Sequence, residues 1–223
     1  MTSILSYDAA VAVLKGALTF GIHPSLDGIR ALATELGRPQ DTFASVQVTG
    51  TNGKSSVTRM TAAVLEAHGV RSAAYTSPEM MSYTERFELG GSPVSRDDFA
   101  RAITASRDAA LAAAANGYTG PMTEFELLTG AALWLFREEW IDIACLEVGM
   151  GGRWDATSVV LPSVAVITGV GIDHAEHLGT TRDEIAADKA RIIQPASTAV
   201  LGPATAGVDS HFLPRVEACD TVH

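Results

Sequence analysis

The chain has 223 residues, 47% hydrophobic and 19% charged, which suits one α/β domain with a substantial core. Its formal net charge of −10 excludes a general nucleic-acid binder, which would show a basic face, but leaves room for a nucleotide, since a few placed cations suffice. The apolar N-terminal stretch is broken by Asp8 and Lys15 and has no basic lead-in, and no apolar run reaches membrane-spanning length, so the expectation is a cytoplasmic protein with no signal peptide and no membrane partner.

Ser6 to Leu18 reads as a first helix, with Ala10, Val11, Leu14 and Leu18 on one face, and Gly21-Ile22-His23-Pro24 breaks it. Ser25 can cap a second helix carrying Ile29, Leu32, Ala33 and Leu36, which Gly37 ends. Val46 to Thr49 reads as a short buried strand. Gly50-Thr51-Asn52-Gly53-Lys54-Ser55-Ser56 follows it, and then a helix with Val57, Met60, Val64 and Leu65 at helical spacing. Strand, glycine loop, Lys-Ser and helix together make a phosphate cradle. Backbone N–H groups of the loop and helix start face an anion, Lys54 adds a full positive charge, and a following hydroxyl can hold Mg²⁺. The strict GxxxxGK[ST] pattern is not met, because Val48 stands at its first glycine.

Ser72 to Thr76 is a second strand, with Thr76-Ser77-Pro78-Glu79 at its C-terminal end, where ligands sit in doubly wound sheets. Met80 to Val94 has no clean period and reads as a loop turning at Gly90-Gly91, with Glu85-Arg86 as a solvated pair. Ser95 caps an alanine-rich helix to Ala115. Thr123 and Glu126 have capping-box spacing before a helix carrying Leu127, Leu128, Ala131, Leu135 and Phe136.

Ile141 to Val148 is a third strand, in which Cys145 reads as a small core residue; Cys145 and Cys219 give no disulfide framework. Glu147 is the anomaly, because a carboxylate near the end of an apolar parallel strand costs several kcal/mol unless paired or metal-bound. Val164 to Val170 is a fourth strand, ending in Gly171-Ile172-Asp173-His174. Thr181 and Glu184 cap a helix containing Asp188 and Lys189, which spacing alone reads as a solvated pair. Thr198 to Leu201 resembles a fifth strand. The alternation of strands and helices predicts a three-layer α/β fold with a mostly parallel sheet, its polar residues gathered on one rim as an Mg²⁺–nucleotide site.

The motifs Val48-Thr49-Gly50-Thr51-Asn52-Gly53-Lys54, Tyr75-Thr76-Ser77-Pro78, Tyr83-Thr84-Glu85-Arg86, Thr123-Glu124-Phe125-Glu126, Leu146 to Thr157, Ile172 to Gly179 and Asp188 to Ile193 occur in this order. In them the chain resembles the N-terminal half of folylpolyglutamate synthase/dihydrofolate synthase, of the Mur-ligase superfamily. The resemblance implies an ATP-binding domain over residues 1–223 like the Mur-ligase central domain, incomplete and without the separate C-terminal ligase domain. It implies a monomer that adds L-glutamate to dihydropteroate, reduced folates or both through an acyl phosphate, with this portion alone inactive.

Carried over by motif, Gly50 to Ser56 cradle the ATP phosphates, and Lys54, His174 and Lys189 are catalytic. Ser56, Ser77, Glu147 and His174 hold Mg²⁺, Glu147 and His174 from neighbouring strands, and Lys189 is carbamylated. Thr123, Phe125, Asp155 and Ala156 handle the pterin end of the folate. Three positions depart from the family pattern: Ser55 replaces a glycine, Glu79 a histidine and Ser158 an asparagine. Lys54-Ser55-Ser56 is nearer the cell-wall Mur ligases. The alternatives are therefore a Mur-type ligase acting on another carboxylate and a non-catalytic nucleotide-binding module.

Overall fold

A computed structural model of the chain describes residues 3–21, 23–216 and 221–222. Ile22 in the first helix break and Cys219 lie outside the described residues. An eight-stranded sheet forms the middle layer, in the order β4-β3-β2-β5-β1-β6-β7-β8. Its strands are β1 (Ala44–Thr49), β2 (Ser72–Tyr75), β3 (Phe87–Leu89), β4 (Ser92–Pro93), β5 (Ile143–Glu147), β6 (Val164–Gly169), β7 (Thr198–Ala204) and β8 (Thr221–Val222). From β2 to β8 all neighbours are parallel, whereas β3 and β4 run antiparallel at the β2 edge. This hairpin turns at Gly90-Gly91, in the segment expected to be loop; three- and two-residue strands are too short to show a period.

The helices are α1 (Tyr7–Ala17), α2 (Asp27–Glu35), α3 (Lys54–Ala67), α4 (Arg96–Ala115), α5 (Glu124–Glu138), α6 (Ala175–Leu178), α7 (Arg182–Lys189) and α8 (Leu213–Val216). Side-chain caps start several of them. Ser6, Ser95, Thr123 and Thr181 each accept a backbone N–H of the first turn, and at Thr123 and Thr181 a glutamate three residues on closes the capping box.

Alternation along each strand sends side chains to opposite faces. On one face Ala144 and Leu146 of β5 pack with Tyr75, Phe99, Leu128 and Phe136 beneath α1, α4 and α5. Ala165 and Ile167 of β6 pack on the same face with Ile185 and Ala186 of α7. On the opposite face α3 lies against Val46, Val48, Ala74 and the buried Cys145, whose thiol burial pushes up to about 12. The buried side of α3 is built from Thr58 and Ala62, while Met60 (67% exposed) and Val64 (57%) point outward. The expected apolar stripe is thus half right: Val57 and Leu65 pack against the sheet, whereas Met60 and Val64 yield their places to the small residues Thr58 and Ala62.

Between α5 and α7, β1 is covered by the irregular segment 149–160. There β1 turns polar residues inward. Gln47 Nε2 donates to Thr157 Oγ1 (3.1 Å) and Ser158 Oγ (3.0 Å), and Thr49 Oγ1 donates to the Gly151 carbonyl (2.6 Å). Irregular backbone laid over a sheet needs such partners, since its carbonyls have no ladder.

Candidate active site

Because β1, β2, β5 and β6 are parallel and adjacent, the loops that leave their C-terminal ends share one rim. After β1 the chain turns at Gly50 (φ 152°), where a Cβ would collide with the Thr168 hydroxyl of β6. Gly53 (φ 80°) then caps α3, and Lys54 opens its first turn. The loop is tied down on β6. Thr51 N donates to the Gly169 carbonyl (3.0 Å), Thr51 Oγ1 donates to the Gly171 carbonyl (3.1 Å) and accepts from Gly171 N (2.9 Å), and Thr168 Oγ1 donates to the Asn52 carbonyl (2.7 Å). Lys54 Nζ reaches back to the Gly50 carbonyl at 3.1 Å.

Glu147 is 1% exposed. Its Oε1 accepts from Ser55 Oγ (2.9 Å) and its Oε2 from the backbone N–H of Ser77 (3.1 Å), so both oxygens meet neutral donors. Burial raises its pKa above the usual carboxylate value, against the lowering effect of those two bonds and of the charges of Lys54 and Arg59. A buried carboxylate with neutral partners and no ion pair among the described residues suits a hard divalent cation. The hydroxyl facing it belongs to Ser55; Ser56 is exposed on the outer side of the turn.

His174 stands at the end of β6, with φ 49°, at the start of α6; it is exposed, its ring 3.6 Å from Asp173 Oδ2. β1 lies between β5 and β6, so Glu147 and His174 are not on neighbouring strands as expected. Among the described residues no group of three or more His, Cys, Asp or Glu is gathered as a metal cluster.

Lys189, at the end of α7, is 3% exposed and donates from Nζ to the Gly50 carbonyl at 3.1 Å. Its pKa falls to about 8, chiefly through burial and then through the nearby charge of Lys54, with Asp173, Asp188 and Asp155 opposing. It is therefore not half of a solvated pair. Its neighbour Asp188 is engaged elsewhere, with Oδ1 accepting from Gly152 N (2.8 Å) and Arg153 N (3.2 Å). Asp155 is buried and fixes the same loop: Oδ2 accepts from Met150 N (3.0 Å), and Oδ1 from Thr157 N (3.0 Å) and Thr157 Oγ1 (2.5 Å).

Phe125 is half-buried, its ring 5.9 Å from that of Tyr75 and against the Gly149 backbone. Thr123 is buried, its hydroxyl spent on the Glu126 capping box, and Ala156 lies in the core under Ile29 and Leu32 of α2. Of these four, Phe125 alone is part-exposed, while Asp155 and Ala156 shape the loop from within.

Glu85 and Arg86 also depart from the solvated-pair reading. Arg86 is 7% exposed and bridges Glu79 (2.5 Å) and Glu124 (3.7 Å), while Glu85 closes a capping box with Ser82. The residues flanking each pair, rather than its spacing, decide its burial. In the sequence, Tyr83 and Phe87 around Arg86 were the available signal.

Residues 48–205 match the Mur ligase middle domain family. The dihydrofolate synthase/folylpolyglutamate synthase of Mycobacterium tuberculosis is 41% identical over 202 residues, covering 87% of this chain and 41% of that protein. The Bacillus subtilis protein of the same name is 35% identical over 214 residues, covering 94% and 50%. Among solved structures, Mycobacterium tuberculosis folylpolyglutamate synthase complexed with ADP superposes with a TM-score of 0.89 at 36% identity, covering 97% of this chain and 50% of that one. E. coli FolC in complex with DHPP and ADP gives 0.86 at 28%, covering 97% and 51%. The chain spans about half the length or less of the curated relatives just named.

Proposed function

The chain belongs to the Mur ligase family, and from that premise we propose that it is the ATP-binding portion of a ligase adding L-glutamate to dihydropteroate, to reduced folates, or to both. The reaction is proposed for the protein at the length of its relatives, and residues 1–223 for its nucleotide-binding, central-type domain. The observation that carries the reading is the pinned Gly50–Ser56 loop, which leads into α3 with Lys54 and Lys189 both on the Gly50 carbonyl and Glu147 facing the loop's serine. Relatives named as dihydrofolate or folylpolyglutamate synthases, and solved structures named with ADP, AMPPCP, folate or DHPP, support it.

In this proposal, loop N–H groups and the N-terminus of α3 bind the ATP phosphates. A substrate carboxylate oxygen attacks the γ-phosphorus, and the bond to the β-phosphate oxygen breaks to release ADP. Lys54 stabilises the charge that gathers on the leaving oxygens. The glutamate amine then attacks the acyl carbon, inorganic phosphate leaves with the bonding pair, and the amine loses a proton. Glu147, buried with neutral partners, suits Mg²⁺ and would hold it, with Ser77 and His174 as the further ligands that the motif match implies; bound there, it would screen phosphate charge. Lys189, buried and weakly basic, is placed to be neutral for part of the time, the state in which an amine takes up CO₂ as a carbamate. Phe125 offers a flat face to a heterocycle, held by Tyr75 behind it.

No helix among the described residues is long and apolar enough to cross a membrane. A cytoplasmic monomer acting on small molecules completes the proposal. Phosphate release by the full-length protein, with ATP and glutamate, tests it: release that depends on dihydropteroate or a reduced folate is expected. Release indifferent to both would overturn it in favour of another carboxylate.

A further inference from the structure

Residues 152–154 of the segment that follows β5, with α2 and the segments that lead into β1, β6 and β7, border a second cleft, of about 560 Å³, to which no residue of the phosphate loop contributes. Arg30, Arg38, Arg153, Arg191 and Arg215 line it, with the half-exposed Trp154, and no described aspartate or glutamate does. That is five of the sixteen Lys and Arg residues of a chain whose net charge is −10.

The arginines are not equally engaged. Arg38 is paired with Asp41 at 2.6 Å, and Arg215 Nη1 donates to the Ile193 carbonyl at 3.0 Å. The Arg153 guanidinium lies over the Trp154 ring, 4.5 Å from its centroid. The side chains of Arg30 and Arg191 make no ion pair or hydrogen bond among the described residues. The charges also act on one another: burial first, and the like charge of Arg191 second, lower the pKa of Arg215. A concave surface lined by one sign of charge focuses its field outward and concentrates counter-ions. Guanidinium forks match the paired oxygens of carboxylates and phosphates, and this volume is ordinary for a small-ligand site.

We propose that this cleft binds a small polyanion bearing two or more carboxylate or phosphate groups, held by Arg30, Arg153 and Arg191 beside the Trp154 ring. The site is distinct from the phosphate loop and stands whether or not the ligase reading does.

Calorimetric titration of the 223-residue chain with citrate and with inorganic tripolyphosphate tests it. At low ionic strength at least one probe binds with a Kd below about 1 mM, and the affinity falls as salt is added. Arg30→Ala with Arg191→Ala weakens citrate binding about tenfold or more, and weakens tripolyphosphate binding as much when both are measured in a Lys54→Ala background that silences the phosphate loop. Both arginines are exposed, so the core is untouched; Arg30→Gln and Arg191→Gln, tested singly, each reduce the affinity and serve if the double variant does not fold. In the Lys54→Ala background, stronger binding of citrate assigns the carboxylate class, and of tripolyphosphate the phosphate class; equal binding supports the shared chemistry. Absence of binding by both probes, or binding lost in Lys54→Ala and kept in the arginine variants, overturns the proposal.

Discussion

Lys54 and Lys189 donate to one and the same atom, the carbonyl oxygen of Gly50, each at 3.1 Å. The two residues are 135 positions apart in sequence, from the first turn of α3 and the last of α7, and their like charges depress the basicity of the buried one. An anion over the loop would relieve that repulsion. Replacing Lys54 leaves Lys189 on the carbonyl, so the loop keeps one of its two ties. Lys54→Ala in the full-length protein should lower turnover at saturating ATP by about a hundredfold or more. Its circular-dichroism spectrum should stay unchanged. Near-normal turnover would remove the lysine from the mechanism.

Lys189 carries a pH signature. Its folded pKa, about 8, lies below the ordinary 10.5, so between these values the unfolded chain binds more protons and stability rises with pH. Below about pH 8 the full burial cost of the ammonium is present, on the order of 3 kcal/mol. Lys189→Met should therefore stabilise the chain most at pH 7 and least above pH 10.5, as read from denaturant midpoints. In the full-length protein, Lys189→Ala should lose most activity and regain part of it with small added carboxylates. Full activity without them would exclude a carbamate.

Glu147 has the opposite sign. Its folded pKa is raised above 4.5, so the folded state holds more protons in that window and stability falls as pH climbs through it. Glu147→Gln should flatten this fall and raise stability at neutral pH in the absence of divalent cation. Added Mg²⁺ should stabilise the parent chain and leave the variant unmoved. Equal Mg²⁺ stabilisation of both would count against the assignment.

Arg86 neutralises two acids at once. With its guanidinium gone, Glu79 and Glu124 face each other with burial already raising the pKa of Glu124. Arg86→Met should cost about 3 kcal/mol at neutral pH. Glu79→Gln placed on top of it should recover part of the loss. A cost below about 0.5 kcal/mol would mean that the trio is effectively solvated.

Much of the rim was legible because its signals are local. A glycine loop between an apolar strand and a helix, and an acid at the end of another strand, locate Lys54 and Glu147 without tertiary information. The hairpin β3–β4 escaped because so short a pairing leaves no period. Met60 and Val64 misled because hydrophobic spacing measures composition, while close packing on the sheet favoured Thr58 and Ala62. Lys189 and Arg86 look like surface charges in sequence; their burial depends on what α7, α5 and the Ser77–Ser82 loop pack against. Ser55 faces Glu147 instead of Ser56 because the first turn of α3 sets the direction of successive side chains 100° apart, a rotation the motif does not encode.

The reciprocal bonding of Thr51 and Gly171 gives the rim a common clock. One hydroxyl closes the pair in both directions, and the Thr51 amide is spent on Gly169, so the phosphate loop cannot lift without releasing the segment that carries His174. Fluctuations at the two places are then a single event. In hydrogen-exchange terms, the amides of Thr51 and Gly171 should trade with solvent at one shared opening free energy. A ligand that steadies the loop should then slow exchange at Gly171, three residues before His174, as well as at Thr51.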